Sequence, residues 1–174
     1  DRLSSGTRTN PWMQESSNKI IQDGEIVSFD TDMVGPYGYC ADISRAFVCG
    51  NKFNEHQKKI YLTAVEQIDY NSRLIKDGVS FREFTEKAWI LPEKYYGNRY
   101  SVMLHGIGLC DEWPAIRYPT DGGERGGIFQ KNMTITLESY IGEVGGNEGV
   151  KLEQQYLVGE NGLELMSHHP LEQI

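Results

Sequence analysis

Five carboxylates and one imidazole carry the chemistry that this sequence can be expected to perform. Asp30, Asp32 and Asp42 stand at or beside short apolar runs; His105 follows Met103-Leu104, Glu138 follows Thr134-Ile135-Thr136-Leu137, and Glu153 closes Val150-Lys151-Leu152. Charge inside or at the end of such runs is costly. A buried carboxylate with no positive partner protonates or unfolds its site. Lys151 lies nearest in sequence to Glu153 and shares its sheet face under a two-residue period, but one ammonium does not neutralise five acids. A divalent cation does, and oxygen ligands with one imidazole suit Mn, Fe, Co or Zn. Several carboxylates bridging two ions would make a two-metal site.

Each position taken alone has a plainer explanation. Asp30 and Asp32 flank a turn, where aspartate is common. Asp42 reads equally as a solvated strand residue, Glu138 as the end of an edge strand, and His105 as a hydrogen-bonded core histidine.

The elements that must bring these groups together are legible in outline. Asp23-Gly24 is a turn before the strand Ile26-Val27-Ser28-Phe29, which ends at Asp30. Gly35-Pro36-Tyr37-Gly38 is a second turn, and a strand over Cys40 to Val48 completes an antiparallel hairpin. Ile60, Ala64 and Ile68, with Tyr61 and Val65, recur at the helical period, predicting a helix from Asn54 to Lys76 stopped by Asp77-Gly78. Ser80 and Glu83 form a capping-box pattern for a second helix with Phe84, Ala88 and Leu91 inward, bent or ended by Pro92. After Tyr100 the text turns β-like: Met103-Leu104-His105, Met133 to Tyr140, and Gly149 to Val158. The Gly-rich stretches at 121–127 and 142–149 lead into no Lys-Ser/Thr helix start, so they read as hairpin loops rather than phosphate cradles. A hairpin, two helices and several strands indicate an α+β fold with helices on an antiparallel sheet.

Composition narrows the class. The 174 residues are 39% hydrophobic and 11% aromatic, enough for one core and too rich in rings for a disordered chain. With 17 Lys+Arg against 25 Asp+Glu the net charge is −8, which argues against a nucleic-acid partner. No apolar run approaches the roughly 18 residues that span a bilayer, so a soluble protein with no membrane partner is expected. Cys40, Cys49 and Cys110 form no spaced framework, which fits a reducing, cytoplasmic compartment. Opening at Asp1, with no Met and no signal-type segment, the chain reads as the C-terminal part of a longer polypeptide.

Taken together, the segments resemble the pita-bread metallopeptidase superfamily of methionine aminopeptidase, aminopeptidase P, prolidase and creatinase. Val27-Ser28-Phe29-Asp30, Gly38-Tyr39-Cys40-Ala41-Asp42-Ile43-Ser44-Arg45, His105-Gly106-Ile107-Gly108, Thr136-Leu137-Glu138 and Val150-Lys151-Leu152-Glu153 follow its motifs in order. The resemblance runs from about Ser4 to Ser167 and implies Asp30, Asp42, His105, Glu138 and Glu153 as metal ligands. It implies further that residues 1–174 are the C-terminal catalytic domain, without its first elements and any N-terminal domain, and that the protein is a homodimer.

The departures are specific. Peptidases of this superfamily carry a histidine where this chain has Asn10-Pro11-Trp12-Met13-Gln14, and another shortly after HGIG, where it has Cys110-Asp111-Glu112-Trp113-Pro114. Glu138-Ser139-Tyr140 replaces Glu-Pro-Gly, and the Asp30–Asp42 interval is one residue longer than usual. Losing two imidazoles that shuttle protons puts ordinary peptide hydrolysis in doubt. Ser4 to Trp12 (SSGTRTNPW), Phe29-Asp30-Thr31-Asp32 and the Asp111–Pro114 segment are similar instead to the bacterial branch that cleaves dimethylsulfoniopropionate to dimethyl sulfide and acrylate. That similarity implies Asp32 as a further ligand, Asp111 as catalytic base, and a small sulfonium carboxylate as substrate. The cofactor it implies is one or two divalent transition-metal ions, with iron favoured and Mn, Zn, Co or Ni as alternatives.

Such an elimination needs a base, a Lewis acid for the carboxylate and a seat for the cation. Asp111, six residues past His105, fits the first role. Trp12, Trp113, Tyr100, Tyr118 and Tyr140 are candidates for an aromatic cage, Trp12 and Trp113 first, with plain core packing as the alternative for each. Tyr100 is also placed to assist proton transfer. Cys110 reads as an inert thiol, His56, His168 and His169 as surface histidines, and Arg45 either as the partner of a site carboxylate, as the family pattern implies, or as a snorkelling side chain. Two rival functions remain: an X-Pro metallo-hydrolase of the prolidase or aminopeptidase P type, and a non-catalytic module that kept the fold and lost the metal.

Overall fold

Alternating apolar and polar residues produce two antiparallel sheets in the computed structural model, which describes residues 2–50 and 52–171. Strands β1 (Arg2–Ser5), β2 (Ile26–Val34) and β3 (Cys40–Val48) form the first, in that order. The second comprises β4 (Val102–Gly106), β5 (Ala115–Arg117), β6 (Thr134–Gly142), β7 (Gly149–Val158) and β8 (Leu163–Leu165), ordered β5-β4-β6-β7-β8. The hairpin β2–β3 and strand β7 form where the sequence predicts them, but β2 continues to Val34 instead of ending at Asp30, so Asp32 is a paired strand residue and not a turn residue. The short strands β1, β5 and β8, of three or four residues each, carry too little periodicity to be read beforehand.

Helix α1 (Glu55–Ser72) opens with a reciprocal box: Asn54 Oδ1 accepts from Gln57 N, and Gln57 Oε1 accepts from Asn54 N, both at 2.9 Å. It stops four residues short of the expected Lys76. The N–H groups of Arg73, Leu74 and Ile75 bond three residues back, and this tightened turn drives Ile75 into the core. Helix α2 (Phe81–Lys87) takes only half of its expected box, Ser80 Oγ accepting from Glu83 N at 3.0 Å. It also ends before Pro92. Trp89 N leaves the helical ladder to donate to Asn71 Oδ1 of α1 at 2.8 Å, and Leu91 packs inward from an extended segment before α3 (Glu93–Tyr96).

The five-stranded sheet has two different faces. Ile135, Leu137 and Ile141 of β6 and Val150 and Leu152 of β7 join Ile60, Ala64 and Ile68 of α1 in one apolar core. Ser139 Oγ on that same face of β6 donates to Gln67 Oε1 of α1 at 2.7 Å. On the opposite face, Thr136, Glu138 and Tyr140 alternate with Lys151 and Glu153 from β7, and β3 packs beside β7 there. Among the described residues no helix is long and apolar enough to cross a membrane.

Candidate metal centre

Register sets the centre. Asp32 on β2 stands directly opposite Asp42 on β3, and Glu138 on β6 directly opposite Glu153 on β7. Like charges in direct cross-strand pairs destabilise a sheet, so two such pairs in one place call for a compensating cation. Where β3 packs beside β7 the pairs converge. His105 Nε2 lies 3.2 Å from Glu138, 3.4 Å from Glu153 and 3.5 Å from Asp42. His105, Glu138 and Glu153 make one group whose ligand atoms lie within 4.8 Å of one another; Asp30, Asp42 and Glu153 make a second.

A bend in the chain places the imidazole. Gly106 must be glycine because the Trp113 carbonyl and the Pro114 ring fill the space of a Cβ, as residues 106–114 fold back to pair with β4. His105 Nδ1 lies 3.0 Å from Gly106 O, so a proton there leaves Nε2 free to face the acids. Cys40 N donates to Gly108 O at 2.7 Å, tying this loop to the start of β3. The same loop brings Asp111 into a third group with Asp42 and His105, again with ligand atoms within 4.8 Å, while Glu112 lines the pocket beside it.

The electrostatics follow from crowding. Burial, then Glu153, pushes Asp42 up to about 10 and Glu138 up to about 7. Burial also raises Asp30. Burial alone would raise Glu153, but Lys151 and His105 hold it below the ordinary carboxylate range. His105 is raised to about 11 by its bonds to Glu138 and Glu153, although burial opposes its charge. Asp42 Oδ1 is buried with no hydrogen-bond partner, the kind of vacant lone pair that a cation satisfies. A buried set of carboxylate oxygens with one imidazole nitrogen facing them fits a divalent transition metal, and the free volume of about 50 Å³ is on the scale of ions. Either protons or a cation must carry the balancing charge.

Sequence reasoning left out the inner partners. Ser44 Oγ reaches Asp30 and lies 3.0 Å from Glu153 Oε2, and Thr136 Oγ1 donates to Glu153 Oε1 at 2.9 Å. Both are two residues from an acid, Asp42 and Glu138, so the strand period alone would have found them. Arg2 and Met13 also line the pocket and carried no such signal. Among the described residues Arg45 pairs with no acid: its guanidinium donates to the main chain at Ser44, Glu153 and His169 and to Gln154 Oε1, on the other side of β3.

The aromatic candidates separate. Trp12 and Tyr100 line the acidic pocket, as does Asp32. Tyr140 lies behind Trp12, its ring centroid 6.1 Å away and its hydroxyl held by Thr9 O and Asn10 Oδ1. Trp113 is 54% exposed and lines a different, mostly apolar cavity of about 350 Å³, with Arg125 5.7 Å over its ring. Tyr118 is in the core, hydrogen-bonded to Gln67.

The sequence pattern of metallopeptidase family M24 matches residues 3–160. The chain belongs to metallopeptidase family M24. Within that family it is 40% identical over 173 residues to dimethylsulfoniopropionate lyase DddP of Roseovarius nubinhibens and 39% identical over 174 residues to that of Roseobacter denitrificans. Each match covers 98% of this chain and 39% of the relative, so the chain spans about two-fifths of the length of the curated relatives it matches. Among solved structures, the prolidase from Pyrococcus furiosus is similar with a TM-score of 0.79 and 30% identity, over 99% of this chain and 49% of that one. An X-Pro aminopeptidase from Thermotoga maritima gives 0.79 and 26%, over 98% and 47%. The fold is therefore the pita-bread arrangement of family M24, of which this chain is a C-terminal part, and the expected α+β class holds.

Proposed function

We propose that this chain carries the metal-binding part of a carbon–sulfur lyase that cleaves dimethylsulfoniopropionate into dimethyl sulfide and acrylate. The observation that carries this reading is Asp111 beside Asp42 and His105, in a chain 40% identical to a lyase of that name. Asp30, Asp32, Asp42, His105, Glu138 and Glu153 would hold one or two divalent ions, iron before Mn, Zn, Co or Ni. A bound ion would supply Lewis acidity toward the substrate carboxylate.

The protein's own groups do the rest. Asp111 takes the proton from the carbon next to the carboxylate. The electron pair left behind becomes the carbon–carbon double bond, the bond from the β-carbon to sulfur breaks, and dimethyl sulfide leaves with its electrons. Burial, then Glu138, raises the Tyr100 phenol above its ordinary value, so it stays protonated and donates into the pocket. Trp12 offers a ring face to the sulfonium, Tyr140 supports Trp12 from behind, and Trp113 stands on the loop that carries Asp111. The whole protein is proposed to be a cytoplasmic homodimer acting on this small molecule.

Headspace assay of the full-length, metal-loaded protein is the test, and dimethyl sulfide is the expected product. The likeness to prolidase and X-Pro aminopeptidase structures favours a second reading, a metallo-hydrolase of X-Pro peptides. Release of proline from an X-Pro dipeptide without dimethyl sulfide would establish that one instead.

A further inference from the structure

One charged group inside the pocket has no part in either reaction. Lys151 is 2% exposed, yet its ammonium contacts Glu138 and lies 3.4 Å from Glu153 Oε2 and 3.9 Å from Asp30 Oδ1. It lies 3.0 Å from Ser44 Oγ, which itself reaches Asp30 and Glu153. Two ring faces close the remaining sides, Tyr100 at 5.3 Å and Trp12 at 5.6 Å. The ammonium thus sits between the His105–Glu138–Glu153 group and the Asp30–Asp42–Glu153 group, touching members of both.

We propose that Lys151 is a resident counter-cation of the carboxylate cluster: a positioning residue that keeps the acids assembled when no divalent ion is bound and matters much less once one is. The inference rests on the metal reading for its second half only. Fully ionised, four buried carboxylates against one ammonium leave three formal negative charges; without metal, protons on the cluster share that balance with Lys151, whereas one divalent ion supplies two positive charges at once. In the metal-free protein Lys151 is therefore the main fixed compensation besides His105, whereas in the loaded protein it is a minor share. Removing one partner of a buried charge pair is costly because the other is left uncompensated.

The test is thermal melting of the full-length protein, chelator-treated and Mn²⁺-saturated, for wild type, K151M, K151R and the double variant K151M/E138Q. Metal-free K151M should melt roughly 10 °C below wild type, and Mn²⁺-loaded K151M within roughly 3 °C of it. K151R should stay near wild type in both states, and metal-free K151M/E138Q should recover at least half of the loss, since one acid has gone with the ammonium. K151M that folds only with Mn²⁺ supports the proposal equally. An equal loss in both states with no recovery in the double variant overturns it, making Lys151 a packing residue. Failure of the metal reading looks different: Mn²⁺ shifts no variant, wild type included, while K151M still loses stability and the double variant regains it.

Discussion

The two faces of strands β6 and β7 share one backbone and differ in what stabilises them. On one face Leu137, Ile141, Val150 and Leu152 meet Ile60, Ala64 and Ile68 of α1, and burial of apolar surface suffices. On the other, Glu138 opposes Glu153 and both crowd His105, so assembly depends on positive charge among them. A shift of one residue in the β6–β7 register would exchange the two sets and leave neither face stable. The apolar face makes the scaffold self-sufficient, and that surplus lets the acidic face remain unsatisfied enough to bind a cation.

Substitutions can separate the two faces. Asp111→Asn should lower the turnover of the whole enzyme by about 10³-fold while melting temperature and metal content stay unchanged; loss of metal in an elemental assay would make Asp111 a ligand. Leu152→Ala should do the reverse. It should cost ~3 kcal/mol of stability to a cavity in the core, equally with and without metal, and leave kcat per folded molecule intact.

Asp42→Asn probes the dependence of the acidic face on a cation. Asp42 is raised in the fold from 3.8 to about 10, so the metal-free native state binds the extra proton across that interval and stability falls as pH rises through it. Asparagine resembles the protonated acid. Metal-free Asp42→Asn should match or exceed wild-type stability at pH 7 with a flatter pH profile, while the stabilisation by added Mn²⁺ is largely lost. A steeper profile in the variant would contradict this. The smallest effect belongs to a surface control, Glu25→Gln. Lys19, with the Gln22 amide, lowers the Glu25 carboxyl below 4.5, so its contribution is present above that value and lost as pH falls through the lowered one. The variant should cost less than ~1 kcal/mol at pH 7, whatever the metal content, with the difference vanishing in acid.

Much of this architecture is legible before folding. The β2–β3 hairpin, strand β7 and the start of α1 follow from local periodicity and turn chemistry, because a strand or a helix cap depends on residues within a few positions. The two-residue period also places Lys151 with Glu153 and would place Ser44 with Asp42. Where α1 ends was not legible, since Ile75 turns inward to a core assembled from distant segments.

By itself, then, the sequence determined which residues are acids in apolar surroundings, which share a strand face, and that positive charge, from protons or a cation, must balance them. Only the tertiary structure decided that Asp32 opposes Asp42 and Glu138 opposes Glu153, that the 106–114 loop carries Asp111 back to His105, and that Lys151 turns inward among the carboxylates while Tyr140 retires behind Trp12. Those outcomes depend on strand register and on β3 packing beside β7. Residues over a hundred positions apart meet there only because burying the apolar faces of both sheets leaves the charged ones no other place to go.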